Sequence, residues 1–322
     1  MTELTFEDLD MVRVGHKENR KAMTGVSVLY FPEGAHVGSR ISGGGPASRE
    51  TPLTLPETAD NLIHAVVLSG GSAYGLGAAD GVMRCLEAHH IGFDTGGYLV
   101  PLVVQSDIYD LSYGDGAIRP FVSLGFDACM KALTGTDGRS GQIGAGTGAT
   151  VGKIMGMKQA SKSGLGSYAV RIGDIVIAAV VVVNALGDVV DSRNGQIIAG
   201  LRSPDRSMLL NTEAVFEQAL AMPAAEMSSY PGNTTIGCLV TNARFSKAEC
   251  SKLADMTTCA YARAIRPVGT MADGDTVYYA SAGNQPADIN IIGTLSAIVM
   301  EEAIRRAVTA DPVPDEVYLK YV

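Results

Sequence analysis

The chain has 322 residues, 46% of them hydrophobic, which is ample for one large α/β core. Charged residues make up only 18%, below the usual quarter, so extended disorder is excluded. A formal charge of −9 argues against a nucleic-acid or anionic-membrane partner. Five cysteines form no CxxC pair, and the N-terminus MTELTFEDLDMVRVGH has no apolar signal core. Together these predict a cytoplasmic protein with reduced thiols.

In chain order, residues 24–31 (TGVSVLYF) and 63–68 (IHAVVL) read as strands that end in glycine-rich loops. Leu76, Ala79, Val82, Met83 and Leu86 recur at helical spacing, which predicts a helix over 73–87. Residues 99–105 (LVPLVVQ) are another apolar run, and 121–133 (FVSLGFDACMKAL) read as a helix. A long glycine loop, GRSGQIGAGTGATVGK, precedes a hairpin-like pair over 166–171 and 175–183. The run Ile175–Val183 is too short to span a membrane, which takes about 20 residues, and reads as a buried strand. A turn at 186–188 leads into Val189 and Val190.

Asn211 is placed to cap a helix over 213–221. A loop (SSYPGN) then runs into the strand TTIGCLVTNA. Ser246 and Glu249 form a capping box for a helix that Pro267 stops. Asp273-Gly274 reads as a turn before a strand over 276–280, and a last amphipathic helix runs over 290–308. Strands and helices come in blocks, which favours stacked sheets with helices outside over a doubly wound fold.

Several motifs fail on detail. Thr147 and Ile154 stand where a phosphate-binding loop needs Gly and Ser/Thr, and Ala149 breaks the dinucleotide pattern. Tyr74 replaces the last glycine of a nucleophile elbow. All five histidines lie in the first 90 residues, and none has a metal-ligand spacing. No cofactor and no metal are therefore expected. Asp273-Gly274-Asp275 is open locally to a plain turn or to a cation site.

One junction carries chemistry. In Pro231-Gly232-Asn233-Thr234-Thr235-Ile236-Gly237 a turn-forming loop meets an apolar strand with a hydroxyl at the boundary. A hydroxyl is a poor nucleophile until a base takes its proton. Placed on the first residue of a chain, it has its own α-amine as that base. An α-amine has a pKa of about 7.7–8.0, so a neutral fraction exists near pH 7. The free terminus must come from self-cleavage. On these residues alone, a strand that simply follows an Asn-containing turn is the plainer reading.

The whole chain, however, resembles the family of L-aminopeptidase/D-esterases and β-peptidyl aminopeptidases, which includes the nylon-oligomer hydrolases. The resemblance rests on VRVGH (12–16), GGGPASRETPLTLPE (43–57), VVLSGGSAYGLGAADGVM (66–83), GAGTGATVGK (144–153), VVVNALGD (181–188), NTTIGCLVTNA (233–243) and RAIRPVGTMADGDTVYYA (263–280). It implies a four-layer αββα sandwich of two stacked mixed sheets. It also implies one domain processed into residues 1–233 and 234–322, and a homo-oligomer of such heterodimers. The activity implied is a self-processing amide hydrolase acting on small peptides or linear amides.

By the same resemblance, Thr234 is the nucleophile and Asn233 the residue lost from its amine. Asp273 and Asp275, which share one side of an extended segment, orient Thr234 and stabilise its ammonium. Two aspartates here match the nylon-oligomer branch. Asn184 matches an oxyanion-stabilising amide. Lys153 and Tyr109 match the polar wall of the site; the plainer readings are a solvated loop lysine and a half-buried core tyrosine. Asp107, Asp110 and Asp115 are candidates to hold a substrate amine. Two rival functions stand beside this one. The first is an acetyltransferase on the same fold, resembling ornithine acetyltransferase, and the second is a non-catalytic binder of a small anion.

Overall fold

The computed structural model describes residues 1–220 and 232–322. In chain order its main elements are β1 (Arg13–Asn19), β2 (Thr24–Ile41), β3 (Ile63–Ser69), α1 (Ala78–Ala88), β4 (Val103–Asp107) and α2 (Val122–Thr134). They continue with β5 (Leu165–Ile172), β6 (Ile175–Asn184), β7 (Thr234–Ala243), α3 (Lys247–Ala264), β8 (Thr276–Gln285) and α4 (Ile289–Thr309).

The apolar run of β6 explains the architecture. Val176, Ala178, Val180 and Val182 pack into one core cluster with Ile236, Tyr278, Leu29 and Val66. Ile177, Ala179, Val181 and Val183 pack on the opposite face against Leu253, Met300 and Ile304 of α3 and α4. A strand covered on both faces needs no polar alternation, which is why the sequence reads as unbroken Val, Ile and Ala. A third cluster joins Val26, Val28 and Val67 to Ala79, Val82 and Cys129 of α1 and α2. The layers are therefore α1/α2, a sheet of β1–β4, a sheet of β5–β8, and α3/α4. The expected αββα sandwich is what the chain forms.

Both sheets are mixed, with β7 parallel to β8 and β3 parallel to β4. They share β2. Its first half pairs with β1 and β3, and its second half pairs with β8. The register breaks between Tyr30 and Ala35, where Gly34 takes φ +72°.

The expected hairpin, the strand over 276–280 and the capping-box helix all form. Asn211 accepts from the Glu213 and Ala214 amides as expected, and its helix runs over Thr212–Ala219. The expected end at Ala221, and the loop at 228–231, lie outside the described residues. The helix predicted over 73–87 opens instead as a 3₁₀ turn at Ser72–Gly77, since two glycines weaken an α-helical start. β2 runs ten residues beyond the predicted 31, past Pro32 and Gly34, because the second sheet pairs what those residues interrupt. Among the described residues no helix is long and apolar enough to cross a membrane.

Buried His16 ties the glycine loop to β2. Its Nδ1 meets Ser27 Oγ at 2.9 Å and its Nε2 meets Asp137 O at 3.0 Å, while Ser27 Oγ accepts from the Ala145 amide at 3.1 Å. Burial lowers its pKa from 6.5 to about 4. A base held neutral in the fold stabilises it above the unfolded pKa, and that contribution is lost as pH falls from 6.5 toward 4. At pH 4 the loss is roughly 3 kcal/mol. Urea midpoints at pH 7 and pH 4.5 should fall more steeply for the native chain than for His16→Gln. Equal slopes would contradict this role.

Candidate active site

β6 and β7 end side by side, with Asn184 paired to Thr234. Both share the face of Val182 and Ile236, which looks into the space between the sheets. The parallel pairing of β7 with β8 matches Ile236 to Thr276, and an isolated parallel bridge joins Asn233 to Asp273. Asp273-Gly274-Asp275 therefore lies alongside Asn233-Thr234-Thr235. All of these side chains are buried, Thr234 at 4% exposure and both aspartates at 0%.

The peptide bond before Thr234 is held from two sides. Asn233 O accepts from the Gly274 amide at 2.8 Å. The same oxygen accepts a very short hydrogen bond from Thr234 Oγ1. A Cβ on residue 274 would stand 2.9 Å from Thr234 Oγ1 and 2.7 Å from Gly45 O, so only glycine lets the strand pass this close. Gly274→Ala should therefore slow any chemistry at Thr234 and cost about 1–3 kcal/mol of stability by overpacking. A cleavage time course with a thermal melt measures both; unchanged cleavage would contradict the close approach.

The two carboxylates bind backbone around the nucleophile position rather than its hydroxyl. Asp275 accepts from the Thr235 amide at 2.6 Å and the Gly269 amide at 2.9 Å. Asp273 accepts from the Thr270 amide at 2.9 Å, the Thr270 hydroxyl at 2.6 Å and the Leu186 amide at 3.4 Å. Burial, then the neighbouring Asp273 charge, raises the Asp275 pKa.

Lys153 is buried, not solvated as its loop position allowed. Its Nζ donates to Asn184 O at 2.8 Å and to Gly232 O at 3.2 Å. Burial lowers its pKa to about 7 against the opposing pull of Asp273, Asp275 and Asp110. Asn184 Nδ2 donates to Tyr109 O at 2.9 Å, and its Oδ1 accepts from the Thr150 amide at 3.0 Å. Tyr109 is half-buried, and its ring lies against Gly232. The structure thus brings together Asn233, Thr234, Asp273, Asp275, Asn184, Lys153 and Tyr109, drawn from five distant stretches of sequence.

The aspartates considered for an amine are placed differently. Asp110 is buried and already accepts from Thr24 Oγ1 at 2.6 Å and the Gly71 amide at 2.8 Å. Asp107 is buried beside Gln105, and Asp115 is exposed. Sequence reasoning missed Thr270, the Gly274 amide and the Ser42–Gly45 loop. That loop wraps the aspartates through Ser42 N to Asp275 O at 2.9 Å and Gly45 N to Asp273 O at 2.8 Å. The triple glycine at 43–45 was its one visible signal.

Residues 5–314 match Peptidase family S58. An uncharacterized aminopeptidase of Mycobacterium leprae is 37% identical over 87% of this chain and 78% of its own. A 6-aminohexanoate-oligomer endohydrolase of Kocuria sp. (strain KY2) is 30% identical over 93% of this chain and 84% of its own. The solved L-aminopeptidase D-Ala-esterase/amidase of Ochrobactrum anthropi, described as a variant of the Ntn hydrolase fold, superposes with a TM-score of 0.67. It covers 98% of this chain and 94% of its own at 16% identity, a likeness that speaks for the fold alone. By sequence over nearly its whole length, and with that fold, the chain belongs to Peptidase family S58 and is an amide-bond hydrolase.

Proposed function

We propose that the chain cleaves itself between Asn233 and Thr234 and then hydrolyses small peptides or linear amides with Thr234 as N-terminal nucleophile. The observation that carries this reading is the Asn233 carbonyl, which meets the Thr234 hydroxyl and the Gly274 amide at once. Oγ1 attacks the Asn233 carbon, and the Gly274 N–H holds the developing oxyanion. Removing one such donor costs roughly 2.7–4 kcal/mol of barrier in well-studied cases. The Oγ1–C bond forms, the C–N bond breaks, and the hydroxyl proton passes to the Thr234 nitrogen. Water then splits the ester, leaving an Asn233 carboxylate, the free hydroxyl and a new α-amine.

In turnover the α-amine takes the hydroxyl proton as Oγ1 attacks the substrate carbonyl. Asp275 and Asp273 fix the strand ends through the Thr235, Thr270 and Leu186 amides and supply negative charge beside the ammonium. Lys153 and Tyr109 form a polar wall, and Asn184, the amide expected to steady an oxyanion, lies beside Thr234 with its Nδ2 donating to Tyr109 O. The roles of Thr234 and these partners rest on this geometry and on the family resemblance.

The same resemblance supports an oligomer of processed heterodimers. Four buried, unpaired cysteines and one exposed one fit a reducing, cytoplasmic setting. The test is turnover of a panel of peptide p-nitroanilides, β-peptides and linear 6-aminohexanoate oligomers by the cleaved protein. Hydrolysis of at least one class is expected, and no hydrolysis of any would sink the reading. Acyl transfer to an amine in preference to water would favour the acetyltransferase instead.

A further inference from the structure

The uncut chain is its own first substrate, so the residues before the cut trace the path of an acyl group. This argument rests on the reading proposed above. Self-cleavage leaves the Asn233 carbonyl esterified to Thr234 Oγ1. An outside substrate forms the same ester on the same oxygen, so its acyl half follows the course that Asn233 and Gly232 hold here.

Two contacts define the second position on that course. Gly232 O accepts from Lys153 Nζ at 3.2 Å, and the lysine is anchored by Asn184 O at 2.8 Å. Gly232 itself takes φ +107°, and a Cβ there would stand 2.4 Å from Tyr109 Cδ1. The ring therefore closes against the backbone and leaves no room for a side chain. Beneath it lies a tight crevice whose one carboxylate among the described residues, Asp110, already accepts from Thr24 and Gly71. Among the described residues, no carboxylate without hydrogen-bond partners lines it to meet a substrate ammonium.

We infer that the enzyme has a second acyl-side subsite that takes a side-chain-free residue by its carbonyl, with Lys153 as donor and the Tyr109 ring as floor. The substrates it serves are acylated peptides cut internally, with glycine two residues before the new carboxylate. A peptide with a free amine on the residue at the cut offers Lys153 no carbonyl. An L-alanine in place of the glycine collides with the ring and takes a strained positive φ. Lys153 and Tyr109 are then residues that determine specificity.

The experiment compares three anilides on the cleaved enzyme: acetyl-Gly-Asn-, acetyl-L-Ala-Asn- and Asn-p-nitroanilide. The glycyl compound should exceed both others in kcat/KM by about tenfold or more, as expected for loss of a charge-assisted hydrogen bond or for overpacking. Tyr109→Ala should narrow the gap between glycyl and alanyl substrates, the backbone strain remaining, and leave the gap to Asn-p-nitroanilide in place. Rates within about twofold across the three native-enzyme reactions, or faster turnover of the free amine, would overturn the inference. If Tyr109→Ala does not fold, the native comparison decides alone. A chain that cleaves itself but hydrolyses none of the three overturns this subsite and spares the proposed function. A chain that never cleaves overturns both.

Discussion

Thr234→Ala is expected to stay a single uncut chain of 322 residues and to hydrolyse nothing. Without Oγ1 no ester can form, so the loss is of the reaction itself. The cavity left by one hydroxyl and one methyl at a 4% exposed site costs stability but leaves the four-layer core standing. Thr234→Ser keeps the hydroxyl and should retain partial cleavage, the lost methyl loosening its aim. Gel electrophoresis of both variants over several days, with circular dichroism to confirm folding, reads the outcome. A folded Thr234→Ala protein that turns over substrate would remove Thr234 from the centre of the reaction.

The second large effect belongs to Asp275. Its two oxygens hold the Thr235 and Gly269 amides at 2.6 and 2.9 Å, so it fixes the residue after the nucleophile and the turn beneath it. Asp275→Ala should slow cleavage and turnover by about tenfold to a hundredfold, from about 1.5–3 kcal/mol for a lost charge-assisted bond. Asp273→Ala should do the same through Thr270 and Leu186. Neither effect should depend on a metal. EDTA should leave native activity unchanged, and EDTA-sensitive activity restored by Mg²⁺ or Ca²⁺ would turn the pair into cation ligands.

The pH dependence has a definite sign. Burial and Asp273 raise the Asp275 pKa, so its anionic form is lost at a higher pH than an ordinary carboxylate's. Lys153 is pushed down to about 7, so its charge is lost on the alkaline side near neutrality. Cleavage that needs both charges should peak near neutral pH and fall in both directions.

Much of this was legible from residues. The hairpin of β5 and β6, the capping box at Ser246 and the strand after Thr234 follow from local periodicity and turn chemistry. The stacking of two sheets followed from the blockwise order of elements. The length of β2 was not legible, because Pro32 and Gly34 mark a break that long-range pairing overrides. The burial of Lys153 was not legible locally, because its glycine loop gives no burial pattern; partners 31 and 79 residues away bury it. The family resemblance set Asp273 and Asp275 beside Thr234, and their two-residue spacing put both on one side of the segment. The spacing could not reveal that they grip backbone amides, since those partners come from Thr235, the turn at 269–270 and the Leu186 bend. Gly274 was visible only as part of a turn. Its amide and its missing Cβ matter because β7 and β8 run parallel in one register, which no local pattern encodes.

The central claim is that the bond between Asn233 and Thr234 breaks by the chain's own chemistry. Intact-mass measurement of purified, incubated protein tests it most directly. Two pieces of 233 and 89 residues (322 less 233) are expected, at about 24 and about 9 kDa, the smaller beginning Thr-Thr-Ile-Gly-Cys. A single species that remains at 33.6 kDa would contradict it.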